Sequence, residues 1–369
     1  MPILPQRMRD IRILHKDTLD GLAEKLCITK QSVSKYETGK MIPAGDVLKR
    51  MMDIYGISAD FLQMEIRQDV VLSSLYHRKI GRISEKEIEY RRTLTRYAYE
   101  ILEICNQFTH ISTLQFPDFA ENASIEEKAV CLREFWHLGT EPIYNLEAVL
   151  SSFGIHTFMY DFESEGMDGC ARQIGDKGII ILNRARGTAA RRTFDLAHEL
   201  GHFALNTESE EAANAFAGAF LLPESRMRKE ILRTDLDYLC EIKTRWGVSV
   251  SCLLERCRCL ELLKSDPEYN FARYNYLRKQ IRNRGWDKTE PGEKKEKREN
   301  TLEITKIITQ IWDHAEQNEQ FLDAMYIPLD LVRNLCSLPE TMFGSYVNRR
   351  YESKVDEFDG VQLSFNFAG

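Results

Sequence analysis

Residues 191–205 read RRTFDLAHELGHFAL, and this stretch decides how the middle of the chain folds. His198 and His202 are four positions apart, so on an α-helix they lie within ~40° of each other and both imidazoles can bind one metal ion. Glu199 lies ~100° away from His198, outside the ligand pair but within reach of a water molecule on the metal. The opposite face is a stripe of leucine and phenylalanine. The segment therefore predicts a helix with an apolar back and a metal-binding front.

A third ligand is expected from a neighbouring helix, because a catalytic zinc ion takes three protein ligands and keeps one open position. The stretch TESEEAANAFAGAFLLPE at 207–224 predicts that helix. Glu210 borders its apolar face in phase with Asn214, whereas Glu211 points away. We therefore choose Glu210 as the acidic ligand. The alternative use of this carboxylate is a capping box with Thr207 at the helix start.

Two short helices are predicted near the start of the chain, at Leu19–Cys27 and Lys30–Glu37, each preceded by a threonine that can cap it. The turn between them is so brief that the helices must cross steeply, as in a helix-turn-helix, which presents the second helix to the major groove of DNA. The polar residues expected to contact double-stranded DNA are Lys30, Gln31, Ser34, Lys35 and Lys40. Residues 1–64 carry only a slight excess of positive charge, so a protein-binding or dimerising role stays open.

The run LDGLAEKLCITKQSVSKYETGKMIPAGDVLKRMMDIYGISADFL at 19–62 resembles the Cro/C1-type (XRE) repressor family. Residues 1–64 predict five short helices, and the resemblance implies that this all-α domain binds a double-stranded DNA operator as a possible homodimer. Cys27 stands where the family usually has glycine, which predicts a left-handed residue with a small strain cost. Leu19 replaces the usual glutamine that donates to a phosphate.

Residues 125–263 resemble the ImmA/IrrE family of metallo-endopeptidase domains, a gluzincin-like group. The segments that carry the resemblance are WHLG (136–139), IIILN (179–183), HELGH (198–202), EEAANAFAGAFLLP (210–223), WGVSVSCLLERCRCL (246–260) and RGWDKTEP (284–291). The resemblance implies Zn²⁺ held by His198, His202 and Glu210. It also implies Glu199 as the catalytic base and Asn214 as a partner of a ligand. Many members have a histidine where this chain has Asn206.

The order of elements predicts a multidomain protein, mainly α, with an α+β metallopeptidase domain. Three short β-prone runs, Ile155–Tyr160, Cys170–Ile174 and Gly178–Leu182, suggest a small antiparallel sheet against which helices pack. The charged run at 287–300 predicts a solvated linker before a C-terminal helical extension. The predicted segments are the helix-turn-helix domain 1–66, a helical connector 67–120, the metallopeptidase domain 121–264, the extension and linker 265–300, and a region 301–369 to which we assign no function.

The composition limits the classes of protein. The 369 residues are 43% hydrophobic and 29% charged, enough apolar material for real cores and too much for a disordered chain. A net charge of −7 excludes a wholly basic nucleic-acid coat but leaves room for a local DNA-binding patch. No apolar run approaches the ~20 residues of a membrane-spanning helix. The nine cysteines, without a secretory segment, favour reduced thiols in a cytoplasmic protein.

The motifs together favour a cytoplasmic metallopeptidase with its own DNA-binding module. The resemblance implies regulation of a mobile element, a stress response or a toxin–antitoxin-like system by cleavage of a repressor or partner protein. The alternative is a non-proteolytic transcription regulator, or an antitoxin-like binding protein, that uses the metallopeptidase fold as a scaffold or metal sensor. An intact Glu199 favours the enzyme, because a sensor needs the ligands but not the base.

Overall fold

The computed structural model of the chain places most of the described residues in helices. The residues it describes are 3–66, 75–77, 84–162, 169–185, 188–263, 266–287, 289–292, 301–314 and 316–344. Most of the predicted charged linker at 287–300 lies outside the described residues. No helix in the described ranges combines the length and the apolar character needed to cross a lipid bilayer.

The described chain divides into two compact units. The first comprises Met1–Ser73, Gly81–Ile111 and Ile304–Gly369, and the second comprises Ser74–Ile80 and Ser112–Glu303. The domain boundaries taken from the sequence pattern remain a prediction. The helices of the first unit are α1 (Pro5–Leu14), α2 (Leu19–Lys25), α3 (Lys30–Glu37), α4 (Gly45–Tyr55), α5 (Ala59–Gln63), α6 (Glu85–Cys105), α15 (Glu303–Asp313), α16 (Asn318–Ala324) and α17 (Leu329–Leu335). The first residue of α15, Glu303, belongs to the second unit.

Helices α1 to α5 form the predicted five-helix domain, and local chemistry sets their boundaries. The Thr18 hydroxyl accepts a hydrogen bond from Gly21 N and the Thr29 hydroxyl accepts one from Ser32 N, so both predicted caps are confirmed. Cys27, in the turn between α2 and α3, has a φ of 53°. This confirms the left-handed conformation expected at that position, where glycine would carry no strain.

A buried ionic network joins α1 to α6 inside the first unit. Arg7 is fully buried, and its Nη1 donates to Glu100 Oε2 at 2.8 Å. Tyr97 donates to the buried Asp10 carboxylate at 2.9 Å, and Arg96 also pairs with Asp10. The Tyr326 hydroxyl donates to Glu100 Oε2 at 2.9 Å. The network therefore connects α1, α6 and the segment after α16, which are distant in the sequence.

The second unit contains the only sheet found in the described part of the chain. Its helices and strands are β1 (Leu75–His77), α7 (Ile125–Phe135), α8 (Leu146–Ser152), β2 (Ile155–Tyr160), β3 (Gly169–Ile174), β4 (Lys177–Asn183), α9 (Ala189–Leu205), α10 (Glu210–Leu221), α11 (Glu224–Glu230), α12 (Leu236–Trp246), α13 (Val250–Cys259) and α14 (Pro267–Asn283). The strand order is β1-β3-β4-β2.

The sheet is mixed, so the prediction of an antiparallel sheet was wrong for β2. β3 and β4 form an antiparallel hairpin, and β1 pairs antiparallel with β3. β2 runs parallel to β4 on the other edge of that strand. The β3–β4 hairpin occupies one edge of β4, so β2 pairs with the other edge. β4 is buried along its whole length, as its unbroken apolar run favours in a central strand.

Helix α9 packs closely on α10 because Gly201 has no side chain. A Cβ at Gly201 would lie 3.0 Å from the backbone of Ala213 and 3.3 Å from Phe216 Cβ. Leu200 on α9 and Phe216 on α10 belong to the same buried apolar core. This contact fixes the two helices that carry the predicted metal ligands.

Candidate metal centre

Helix α9 carries both predicted histidine ligands and buries them. The Thr188 hydroxyl caps its start by accepting from Arg191 N, and Asn206 ends it in the left-handed conformation. His198 and His202 are 2% and 1% exposed. Imidazoles this deep need partners for their ring nitrogens.

Each histidine has a partner at Nδ1. His198 Nδ1 is 3.0 Å from Asn214 Oδ1, and His202 Nδ1 is 2.7 Å from the Thr207 carbonyl oxygen. A carbonyl oxygen only accepts, so it holds the proton of neutral His202 on Nδ1 and leaves an Nε2 lone pair. Histidine ligands of metals are usually oriented by such a bond at the other ring nitrogen.

The Thr207 carbonyl was missed by the sequence analysis, because a backbone acceptor has no residue-type signature. It reaches His202 because the left-handed Asn206, with a φ of 45°, turns the chain back at the end of α9. Asparagine at a helix end is a signal for that turn. Asn206 thus carries a local signal in addition to being a departure from the family pattern.

Helix α10 brings Glu210 to the two histidines. Ser209, not Thr207, caps α10 by accepting from Ala212 N, so Glu210 does not take part in a capping box with Thr207. His198 Nε2 lies 3.3 Å from Glu210 Oε2, and His202 Nε2 lies 3.8 Å from Glu210 Oε1. Glu211 is exposed and lies outside this group.

The three side chains form a donor set that suits zinc. Their ligand atoms lie within 4.8 Å of one another, and the two Nε2 atoms are 3.2 Å apart. With bonds of ~2.0–2.1 Å, the ligand atoms of a tetrahedral zinc site are ~3.3 Å apart. Two imidazole nitrogens and a carboxylate converge on one point, which a divalent cation stabilises. The residues present therefore fit a bound zinc ion.

Glu199 follows the first histidine on α9 and is 3% exposed. Helix geometry turns it ~100° from His198, so it borders the two histidines without joining the three-residue group. The arrangement places one buried carboxylate beside a site for a cation.

The predicted DNA contacts lie together on the surface of the first unit. Val33 and Tyr36, on the inner face of α3, are buried as expected. The predicted contact residues are all exposed, and they are Lys30, Gln31, Ser34, Lys35 and Lys40. Lys30 Nζ pairs with Asp20 Oδ2 at 2.7 Å, an exposed pair that a phosphate could replace.

Comparison with known proteins identifies the two kinds of domain. Residues 150–258 match the model of the M78 peptidase family, described as an IrrE N-terminal-like domain, and residues 8–62 match a helix-turn-helix model. The chain therefore joins a helix-turn-helix domain of the XRE type to a metallopeptidase-like domain of the ImmA/IrrE type, and both resemblances are confirmed.

A relative in Bacillus subtilis (strain 168) supports the first assignment. It is an uncharacterized HTH-type transcriptional regulator, YobD, 39% identical over 57 residues. The matched stretch is 15% of this chain and 51% of the relative, so the chain spans about half the length of that relative. The likeness concerns one short segment of this chain.

Proposed function

We propose that the protein is a zinc-dependent metallo-endopeptidase that binds a DNA operator and regulates transcription by cleaving a repressor or a toxin–antitoxin-like partner. The observation that carries this proposal is the convergence of His198, His202 and Glu210 beside the buried Glu199. The M78 family match and the helix-turn-helix match support its two halves. The proposed compartment is the cytoplasm, and the proposed assembly on DNA is a homodimer.

The chemistry at this site divides between the cation and the chain. Zinc supplies Lewis acidity, which lowers the pKa of a water molecule toward ~7 and polarises a carbonyl group. Glu199 takes the proton from the attacking water and later passes it to the leaving amine. Asn214 and the Thr207 carbonyl hold the two imidazoles in the orientation that turns Nε2 toward Glu210. The helix contact at Gly201 keeps α9 and α10 in register.

The purified protein is expected to hold about one zinc ion per chain, because three ligands converge. His198→Ala should lose most of that zinc, since two ligands remain. The metal content is measured by plasma mass spectrometry after dialysis. His110→Ala is the matched control, because His110 is exposed and lies outside the group. Absence of any divalent metal in the wild-type protein, under every loading condition, would contradict the metal site.

Substitutions at Gln31 and Lys40 are expected to have different effects on DNA binding. A change at Gln31 should alter the preferred base pair and cost ~1–3 kcal/mol there, because a side chain at the start of α3 reaches base edges. Lys40→Ala should weaken binding to all DNA sequences alike. It should also lower the number of counterions released on binding by about one, which is measured by the slope of log K against log salt concentration. Selection from random DNA with the full-length protein, followed by titration of the selected site, measures both. If the selection enriches no DNA sequence, the result would contradict sequence-specific DNA binding by this protein.

A further inference from the structure

A cavity of about 280 Å³ lies in the second unit beside the first half of α9. Its wall on α9 is formed by Ala189, Ala190, Arg192, Thr193 and Leu196, and the rest comes mainly from α8, β2 and the end of α12. None of the described lining residues is a ligand of the metal centre or Glu199. The cavity is therefore a feature separate from the proposed peptidase site. Its volume is near the lower limit of small-molecule sites in proteins.

Two polar atoms in the cavity wall are buried without a hydrogen-bond partner. They are the Thr157 hydroxyl on β2 and the Arg192 Nε atom on α9. Thr157 is 2% exposed, so bulk water does not satisfy it. Buried polar groups are rarely left unsatisfied, because the cost of desolvation is then not recovered. Arg192 Nε can only donate and Thr157 can donate, so both suit an acceptor held in the cavity.

The cavity wall holds charged residues of both signs, and Arg192 is the cation that suits a negative occupant. Of its charged lining residues, Lys243 pairs with Glu290 at 3.1 Å. Glu147 accepts a hydrogen bond from Glu303 N at 3.0 Å. Arg192 has no ion pair among the described residues. Its guanidinium therefore supplies one positive charge for an anion, with a fork geometry that matches a carboxylate.

Another part of the wall is apolar and is formed by Leu146, Met159, Leu196 and Val248. An occupant that satisfies both parts of the wall has one anionic end and an apolar body. We propose that this cavity is a binding site for a small carboxylate with an apolar chain, whose carboxylate accepts hydrogen bonds from Arg192 and Thr157. This inference does not depend on the proposed peptidase activity.

Binding of butanoate, hexanoate and octanoate to the full-length protein tests the proposal, with 1-hexanol as the uncharged counterpart. Ligand-observed NMR and calorimetry should show saturable binding of at least one acid and at least ~10-fold weaker binding of the alcohol. Arg192→Gln should weaken the binding at least ~10-fold, and Thr157→Val, which keeps the shape of the side chain, several-fold. Arg191→Gln is the matched control, because Arg191 is the exposed neighbour outside the cavity wall.

A carboxylate could also bind to zinc, and His198→Ala separates the two sites. Binding to the cavity persists in that variant even if the metal is lost. Each variant is first shown to melt cooperatively, with the ligand-induced rise in Tm as a second readout. The proposal is overturned if no acid of the series binds saturably, which would indicate a cavity filled by water only. It is also overturned if Arg192→Gln binds like Arg191→Gln, or if His198→Ala abolishes binding.

Discussion

Glu199→Gln is expected to lower cleavage of the partner protein by at least ~10²-fold, the low end for loss of a general base. The substitution preserves the shape of the side chain and leaves His198, His202 and Glu210 in place. Gln cannot accept the proton of the attacking water at neutral pH. Zinc content and DNA binding should therefore be unchanged. The variant removes one chemical step from an otherwise intact protein.

The measurement is made in the native genetic context, by co-expression with the neighbouring genes and quantification of the full-length partner. Glu211→Gln is the matched control, because Glu211 is the exposed carboxylate next to Glu210 and lies outside the three-residue group. A regulatory output that depends on His198 and His202 but is unaffected by Glu199→Gln would exclude peptide hydrolysis as the mechanism. The metal would then be structural or sensory, and the non-proteolytic regulator would be the correct interpretation.

Features of the site that depend on neighbouring positions could be predicted from the sequence. The four-residue spacing of His198 and His202 sets their common face once the segment is helical. The choice of Glu210 over Glu211 followed from the helical wheel, and the geometry places Glu210 beside both histidines. Caps such as Thr18 and Thr29 bind donors three residues away, so their chemistry is local too. The roles assigned to the three ligands, to Glu199 and to Asn214 remain a prediction.

The direction of β2 could not be predicted, because it depends on where the strand meets the rest of the sheet. A run of β-prone residues fixes neither its partner nor the sense of pairing. One local signal was present in the sequence. Gly178 lies opposite Ile155, where a Cβ would be 3.0 Å from the isoleucine side chain, so the glycine allows close approach of β2. Its meaning is visible only once the register is known.

The sequence pattern also did not predict which segments of the chain pack together in the first unit. Arg7 and Glu100 are 93 positions apart, and Tyr326 is 226 positions beyond Glu100. Ionisable residues in amphipathic helices normally face water, and periodicity alone does not show that Arg7 is fully buried. Burial, together with the nearby Glu100 carboxylate, raises the pKa of Tyr326, so its phenol remains a hydrogen-bond donor. The ionic network thus joins segments that pattern reading treats separately.

Glu100→Ala is expected to destabilise the first unit by ~3–5 kcal/mol, because it leaves Arg7 buried without its carboxylate. The same change removes the acceptor of the Tyr326 hydroxyl. Amide hydrogen exchange of the full-length protein measures the effect in peptides from α1 and α6. Glu85→Ala is the matched control, since Glu85 is exposed at the start of α6. Equal protection in the two variants would show that the network contributes little.

A second variant separates loss of the ion pair from loss of packing. Arg7→Met combined with Glu100→Leu removes both charges, and it should recover much of the stability lost in Glu100→Ala. The effect should extend to DNA binding, because Arg12 on α1 forms a two-bond pair with Glu37 at the end of α3, at 2.6 and 2.8 Å. Detachment of α1 would break the Arg12–Glu37 pair, which stabilises the position of the DNA-contacting helix α3. DNA affinity in Glu100→Ala should therefore fall with the fraction of chains in which α1 is detached, and salt dependence should stay the same.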